Sequence, residues 1–222
     1  MAKKIYLSPS NQNGNLYKGQ GTNEMEQCNR IAEAAEKHLK RNGFEVKRAP
    51  KGQDMWDSIK ESNEWGADLH IPIHTNAGGG DGTVVFVYSK GAANMKYATP
   101  IYNAVQAVSP GKTDYGVREY PDLAELNGTS ATAVYIECEF HDNATLAKWI
   151  VDHVDDIGAA IAKGICKADG KSYNTGKVAP TSASKVFYRV QVGAFSQKAN
   201  ADTMAKKLEK AGYDTLVVEV KK

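Results

Sequence analysis

The chain has 222 residues, 41% hydrophobic and 24% charged, which excludes a disordered tail or a fibre and suffices for one sizeable core plus a small appendage. Its formal net charge is +2 but unevenly spread: residues 168–222 hold ten Lys/Arg against five Asp/Glu, leaving residues 1–167 at −3. A basic tail behind a mildly acidic body suits an anionic surface or polymer, or simply a solvated face. No nucleic-acid partner is expected.

The opening Met-Ala-Lys-Lys-Ile-Tyr-Leu7 runs straight into a strand pattern, with no apolar stretch long enough for a signal peptide or a membrane span. The expectation is a product made in the cytoplasm that does not export itself by that route. Lys4 to Leu7 is the first predicted strand and Phe44 to Arg48 the second. Between them Glu24, Cys28, Ile31, Ala32, Ala35 and Leu39 recur at helical spacing, predicting an amphipathic helix over 23–41. A helix over 54–63, a strand ending at His74, a strand over 83–88, a helix over 94–108 and a strand over 133–138 continue the alternation. A last helix carries the stripe Leu146, Trp149, Ile150, His153, Ile157, Ile161 and Ile165. This alternation predicts an α/β fold, a mainly parallel twisted sheet with helices on both faces. Residues 168–186 are small and polar and form a linker, and 187–222 are predicted as a small βαβ module. Cys28, Cys138 and Cys166 lack zinc-type spacing and are expected as reduced core thiols.

Three residues carry potential chemistry. His74 ends an apolar strand that breaks into Gly78-Gly-Gly80, and the carboxyl ends of strands in an open α/β sheet border its ligand crevice. A strand-end His bonded to a loop carbonyl is the plainer reading. Glu24 lies on the apolar face of the first helix, whereas Glu26 has a capping-box place behind an Asn23 N-cap. An inward carboxylate needs a partner, for which a metal qualifies; a first-turn acid favoured by the helix dipole is the alternative. Glu137 and Glu139 end another apolar strand on one face, where a carboxylate can take a proton from water and deliver it to a leaving amine. Of the other histidines, His38 is expected to face solvent and His153 to pack in the core. His70 and His74 share a strand face, but four strand residues span about 13 Å, too far for one shared metal.

Residues 1–167 resemble a zinc-dependent N-acetylmuramoyl-L-alanine amidase catalytic domain. The resemblance rests on Glu24 in Asn-Glu-Met-Glu-Gln-Cys-Asn-Arg-Ile-Ala, His74 in Pro-Ile-His-Thr-Asn-Ala, and Glu137 ahead of Phe140 and Asn143. It implies that Glu24 and His74 hold Zn2+ and that Glu137 is the catalytic acid and base. One departure stands out: the family's first ligand is the His of an Asp-Pro-Gly-His-Gly-Gly turn, and Asn11 of Ser8-Pro-Ser-Asn-Gln12 occupies that slot. An amide oxygen is a poor zinc ligand beside imidazole or carboxylate. The missing ligand is expected from Asn11 or Gln12, or from His141 or Glu139 swinging in from the Glu137 strand; loss of the metal is the remaining possibility. Asn76 and the glycine loop 78–82 are expected to border the substrate groove.

Residues 187–222 resemble one repeat of a SPOR domain, through Phe187-Tyr-Arg-Val-Gln-Val-Gly-Ala-Phe195 and the helix pattern up to Tyr213. Such modules bind peptidoglycan glycan strands, so Tyr188, Gln191 and Phe195 are candidate sugar contacts. The family usually has two repeats per chain; with one here, a homodimer through this segment is expected, because half a module leaves a sheet edge uncovered. The function implied is a cell-wall hydrolase, an endolysin or autolysin released through holin lesions or mother-cell lysis. It would cleave between N-acetylmuramic acid and L-alanine. The alternatives are a zinc endopeptidase of the same wall and a non-catalytic peptidoglycan-binding protein with a degenerate metal site.

Overall fold

The computed structural model describes residues 2–176, 192–213, 215, 217 and 218. The chain divides into two compact units, residues 1–177 and 178–222. In the first, β1 (Lys4–Pro9), α1 (Glu24–Arg41), β2 (Glu45–Arg48), α2 (Met55–Trp65) and β3 (Leu69–Asn76) open the alternation. It continues through β4 (Val84–Val87), α3 (Ala92–Gln106), β5 (Val117–Glu119), α4 (Ala124–Asn127), β6 (Thr132–Ala133) and β7 (Tyr135–Phe140). The helices α5 (Ala144–Asp152) and α6 (Val154–Ala168) close the unit.

The sheet runs β2-β1-β3-β7-β4-β5, with β6 pairing β3 just ahead of β7. Every pairing is parallel except β4 against β7. The strand period of two sorts the side chains of β1 and β3 into two layers. Ile5, Leu7, Leu69, Ile71 and Ile73 join the main core with the apolar stripes of α1, α3 and α6. Tyr6, Ser8, His70 and His74 occupy the alternate positions, where Tyr6 stacks on His70 and both find polar partners in α2 or α4. A polar layer thus runs along the sheet toward the carboxyl ends of β1 and β3.

Asn23 caps α1 as its position demands, its side chain accepting from the Glu26 backbone N–H at 3.0 Å. The reciprocal half of the capping box does not form, because the Glu26 carboxylate pairs with Lys51. His38 is not solvent-facing: it is 8% exposed, sharing a 2.8 Å hydrogen bond with the Tyr173 hydroxyl. The residues after α6 return over the end of α1, with Asn174 also bonded to Asn42, and bury what helical periodicity alone leaves outside. The expected single last helix is two. His153 ends α5 with φ −120° and ψ 26°, and its ring bonds the Trp149 carbonyl and stacks on the Trp149 indole. All three cysteines are buried and free.

In the second unit, α7 runs from Lys198 to Lys210, and Gly212 follows it at φ +87°. Tyr188, Gln191 and most of the two strands expected there lie outside the described residues. Phe195 is described and is 43% exposed.

Candidate active site

β3 and β7 are adjacent parallel strands, and their register makes His74 and Glu137 direct partners. Side chains of partnered residues leave the same face of a sheet, so the two sit side by side near the strands' carboxyl ends. Glu24, in the first turn of α1, reaches the same place: its Oε1 lies 2.9 Å from His74 Nδ1, and its Oε2 accepts from Asn15 Nδ2 at 2.7 Å. Sequence spacing placed Glu24, His74 and Glu137 along one edge, and the fold brings them together there.

The sequence reading passed over a fourth group, Glu125 of α4. It is 4% exposed, its Oε1 accepts from His70 Nε2 at 3.2 Å and from the Ser8 hydroxyl, and its Oε2 stands 3.9 Å from His74 Nε2. His70 and His74, too far apart to share an ion, are therefore spanned by a single carboxylate. The available clue was His70 itself. A histidine at an alternate position of an otherwise apolar strand is buried and calls for a polar partner from another element.

The electrostatics follow from this crowding. Burial disfavours a charged His74 ring, but the carboxylates of Glu125 and Glu24 at its two nitrogens, with Glu137 nearby, push its pKa up to about 9. Burial would likewise raise Glu125, yet His70 and His74 hold it down to about 2. Glu24 is lowered in the same way, its burial outweighed by His74, Asn15 and Ser10. Glu137 goes in the opposite direction: burial lifts it to about 7, with Glu24 raising it further and His74 opposing. Its Oε2 is buried without a hydrogen-bond partner. A carboxyl poised near neutral pH with a free buried oxygen is suited to exchange protons with a reacting group.

Of the candidates for a further ligand, His141 shares a 3.0 Å hydrogen bond with Thr75 Oγ1 and stacks on Tyr17. Glu139 is fully buried and occupied: it accepts from the backbone N–H of Gly82 at 2.7 Å and of Phe140 at 2.9 Å, and from the Ser109 hydroxyl. Neither joins Glu24 and His74. Asn11 and Gln12 do line the same cleft as His74 and Glu125, a space of about 220 Å³ bordered also by Gln53, Met55 and Tyr135. Gln12 further joins the Glu24 network, its Oε1 accepting from Asn15 Nδ2 at 2.6 Å. Among the described residues, no group of three or more His, Cys, Asp and Glu side chains is placed to hold a metal ion. Two strong donors meet at this edge, with amide oxygens beside them.

The glycine loop after β3 is held by carboxylates at the end of β7. Asp142 Oδ2 accepts from the N–H groups of Gly78 and Gly79 at 2.8 Å each, and Glu139 takes Gly82. Gly82 has φ +100°, and a Cβ there would lie 2.6 Å from the Thr113 carbonyl oxygen, so only glycine suits that turn. Asn76 Oδ1 accepts locally from the Ala77 N–H at 2.8 Å.

Comparison with known proteins matches this frame. The N-acetylmuramoyl-L-alanine amidase family covers residues 10–167, and the SPOR domain family covers 184–222. A sporulation-specific N-acetylmuramoyl-L-alanine amidase of Bacillus subtilis (strain 168) is 31% identical over 164 residues, 73% of this chain and 61% of the relative. The N-acetylmuramoyl-L-alanine amidase CwlM of Bacillus licheniformis is 32% identical over 160 residues, 71% of this chain and 59% of the relative. The chain thus spans about three-fifths of the length of these relatives. In fold it is similar to an N-acetylmuramoyl-L-alanine amidase from Clostridium difficile 630, with a TM-score of 0.69 at 18% identity, covering 76% of this chain and 97% of that one. The catalytic domain of the amidase CwlV from Bacillus (Paenibacillus) polymyxa var. colistinus gives 0.65 at 20% identity, covering 77% and 99%. With a matched segment from the turn after β1 to the end of α6, the chain belongs to the N-acetylmuramoyl-L-alanine amidase family.

Proposed function

We propose that the chain is a peptidoglycan hydrolase that cleaves the amide between the lactyl carbonyl of N-acetylmuramic acid and the L-alanine of the stem peptide. The observation that carries the reading is Glu24 in contact with His74, with Glu137 in register beside them. Glu24 and His74 are the residues that would hold Zn2+. The two donors converge at 2.9 Å, and an amide oxygen of Asn11 or Gln12, which line the same cleft as His74, or solvent would complete the set. The ion would polarise the scissile carbonyl and stabilise its developing negative charge. Glu137 does the proton work: its free Oε2 takes a proton from the attacking water and gives it to the departing L-alanine amine. Met55, Tyr135 and Leu123 give the cleft an apolar wall. Asn76 and the glycine loop are not among the residues that line this cleft.

Residues 187–222 tether the enzyme to its polymer, with Tyr188, Gln191 and Phe195 as glycan contacts. Val192, Phe195, Tyr213 and Val218 are exposed in this segment, which supports pairing of two chains through it; light scattering at micromolar concentration should give a dimer, and a monomer would overturn the pairing. The SPOR match and the sporulation-specific relative favour release of the enzyme by mother-cell lysis over release by a phage.

The test of the function is release of soluble fragments from purified sacculi. Wild-type protein should lyse them, a chelator should stop lysis, and added zinc should restore it. The shortage of strong donors favours one rival, a peptidoglycan-binding protein without hydrolysis. Protein that pellets with sacculi but never lyses them, even with zinc added, would establish that rival.

A further inference from the structure

We propose that Gln53 is a specificity-determining residue of the cleft: its side-chain oxygen accepts the backbone N–H of the second stem-peptide residue, one residue beyond the scissile amide. This rests on the amidase reading above. Gln53 stands in the turn between β2 and α2, half-buried, its own N–H on the Pro50 carbonyl at 3.0 Å, and it lines the cleft that holds His74. Its Nε2 donates to three acceptors, Glu61 Oε2 at 3.1 Å, the Tyr6 hydroxyl at 3.2 Å and Ser58 Oγ at 3.3 Å. The chemistry of these partners fixes which end of the amide is nitrogen. Burial disfavours a charged Glu61, but Lys47, 2.7 Å from its Oε1, and the Tyr6 and Gln53 donors outweigh it and keep the carboxylate ionised. An ionised carboxylate can only accept. The Tyr6 hydroxyl spends its one proton on Glu61 Oε2 at 2.5 Å, so toward Gln53 it too can only accept. Turning the amide over would set its oxygen against Glu61.

A planar amide whose nitrogen is held on one side presents its oxygen on the other. Neither Tyr6 nor Glu61 borders the cleft, whereas Gln53 does. Among the described residues no donor meets Gln53 Oε1, and it is not one of the unpartnered atoms sealed from solvent. An oriented acceptor without a donor in a cleft selects a ligand that brings an N–H. Because the side chain is already clamped, little rotamer freedom is lost when that ligand arrives. Its neighbours on the wall, Met55 and Leu123, are apolar. A glycan carries hydroxyls on all sides, whereas the stem begins with the methyl group of L-alanine, so this wall suits the peptide arm of the substrate. The scissile nitrogen must take a proton from Glu137 in order to leave. The next N–H along the stem is then the one free to donate to Gln53.

Soluble disaccharide peptides, natural or methylated on the nitrogen of the second stem residue, test the proposal on the full chain. Wild-type protein should cleave the methylated fragment with kcat/KM about 3- to 10-fold lower, the worth of one neutral hydrogen bond. Gln53→Met, similar in length but without the acceptor, should lose the same factor on the natural fragment and bring the ratio between the two fragments close to one. Loss of packing alone would slow both fragments together and keep the wild-type ratio, which would overturn the proposal. A wild type that lyses sacculi yet treats the two fragments alike, both cleaved or both spared, would overturn it as well. Should Gln53→Met not fold, Gln53→Asn, which withdraws the oxygen by one methylene, carries the same expectation. Wild-type protein that cleaves neither sacculi nor fragments would defeat the hydrolase reading itself, an outcome separate from equal treatment of the two fragments.

Discussion

Glu137 and Glu139 lie two residues apart in β7, but the pairing with β3 slips between His74 and Asn76, so the two carboxylates do not simply share a face, and their surroundings divide their roles. Glu139 is spent on backbone N–H groups and a serine hydroxyl, whereas Glu137 keeps a buried oxygen free and its pKa near 7. Glu137→Gln should lower lysis of sacculi by about 10²- to 10⁴-fold, as loss of a general acid and base does, while circular dichroism and pelleting with sacculi stay at wild-type levels. Glu139→Gln should instead lower the thermal midpoint, because the turn through Gly82 and Ser109 loses a charged acceptor, at a cost of about 1–3 kcal/mol. Away from the site, Asp169 accepts from Lys3 at 2.8 Å and from the Tyr97 hydroxyl at 2.6 Å, and these outweigh its burial to depress its pKa. A depressed carboxyl stabilises the fold above its unfolded pKa of about 3.9, and that contribution is lost as pH falls through the lower folded value. The gap in unfolding midpoint between wild type and Asp169→Asn should therefore be open at pH 7 and close below about pH 4. Glu24, His74 and Glu137 were legible in sequence because each terminates or opens a periodic element. Glu125 was not, because it sits in a four-residue helix that has no period to read, and only the fold puts it against His70 and His74.

At the scale of elements, α6 is positioned by glycines. Gly158 lies against α1, where a Cβ would be 2.6 Å from both Ala34 Cβ and the Ala35 nitrogen, and Gly164 lies against α3, where it would be 2.5 Å from Ile101 Cα. Gly164→Ala gains about 1 kcal/mol of helix propensity but collides with backbone, so the helices must part, at about 1–3 kcal/mol. The expected result is a lower denaturation midpoint with an unchanged m-value; a midpoint at or above wild type would show that α3 and α6 adjust freely. The alternation of strands and helices was readable because apolar periodicity dominates in long buried elements such as α1 and β3. The break at His153 was not, since the apolar stripe runs on unbroken through it and only the backbone turn and the Trp149 contact interrupt the helix. The antiparallel placement of β4 beside β7 was equally hidden, because a strand's direction leaves no mark on its own residues.

At the scale of the whole molecule, one chain carries both a cleft at the carboxyl edge of a mainly parallel sheet and a tail that matches the SPOR domain family. The site is an amidase frame in which Asn11 stands where the family's resemblance calls for histidine, so the central claim is that hydrolysis persists and falls on the bond the family cleaves. Mass spectrometry of sacculi digested by the full chain tests this most directly. The account predicts free stem peptides with an L-alanine amino terminus, together with glycan strands stripped of peptide, and neither product from Glu137→Gln. Stems cut internally, or sacculi left whole by zinc-supplemented wild-type protein, would contradict it.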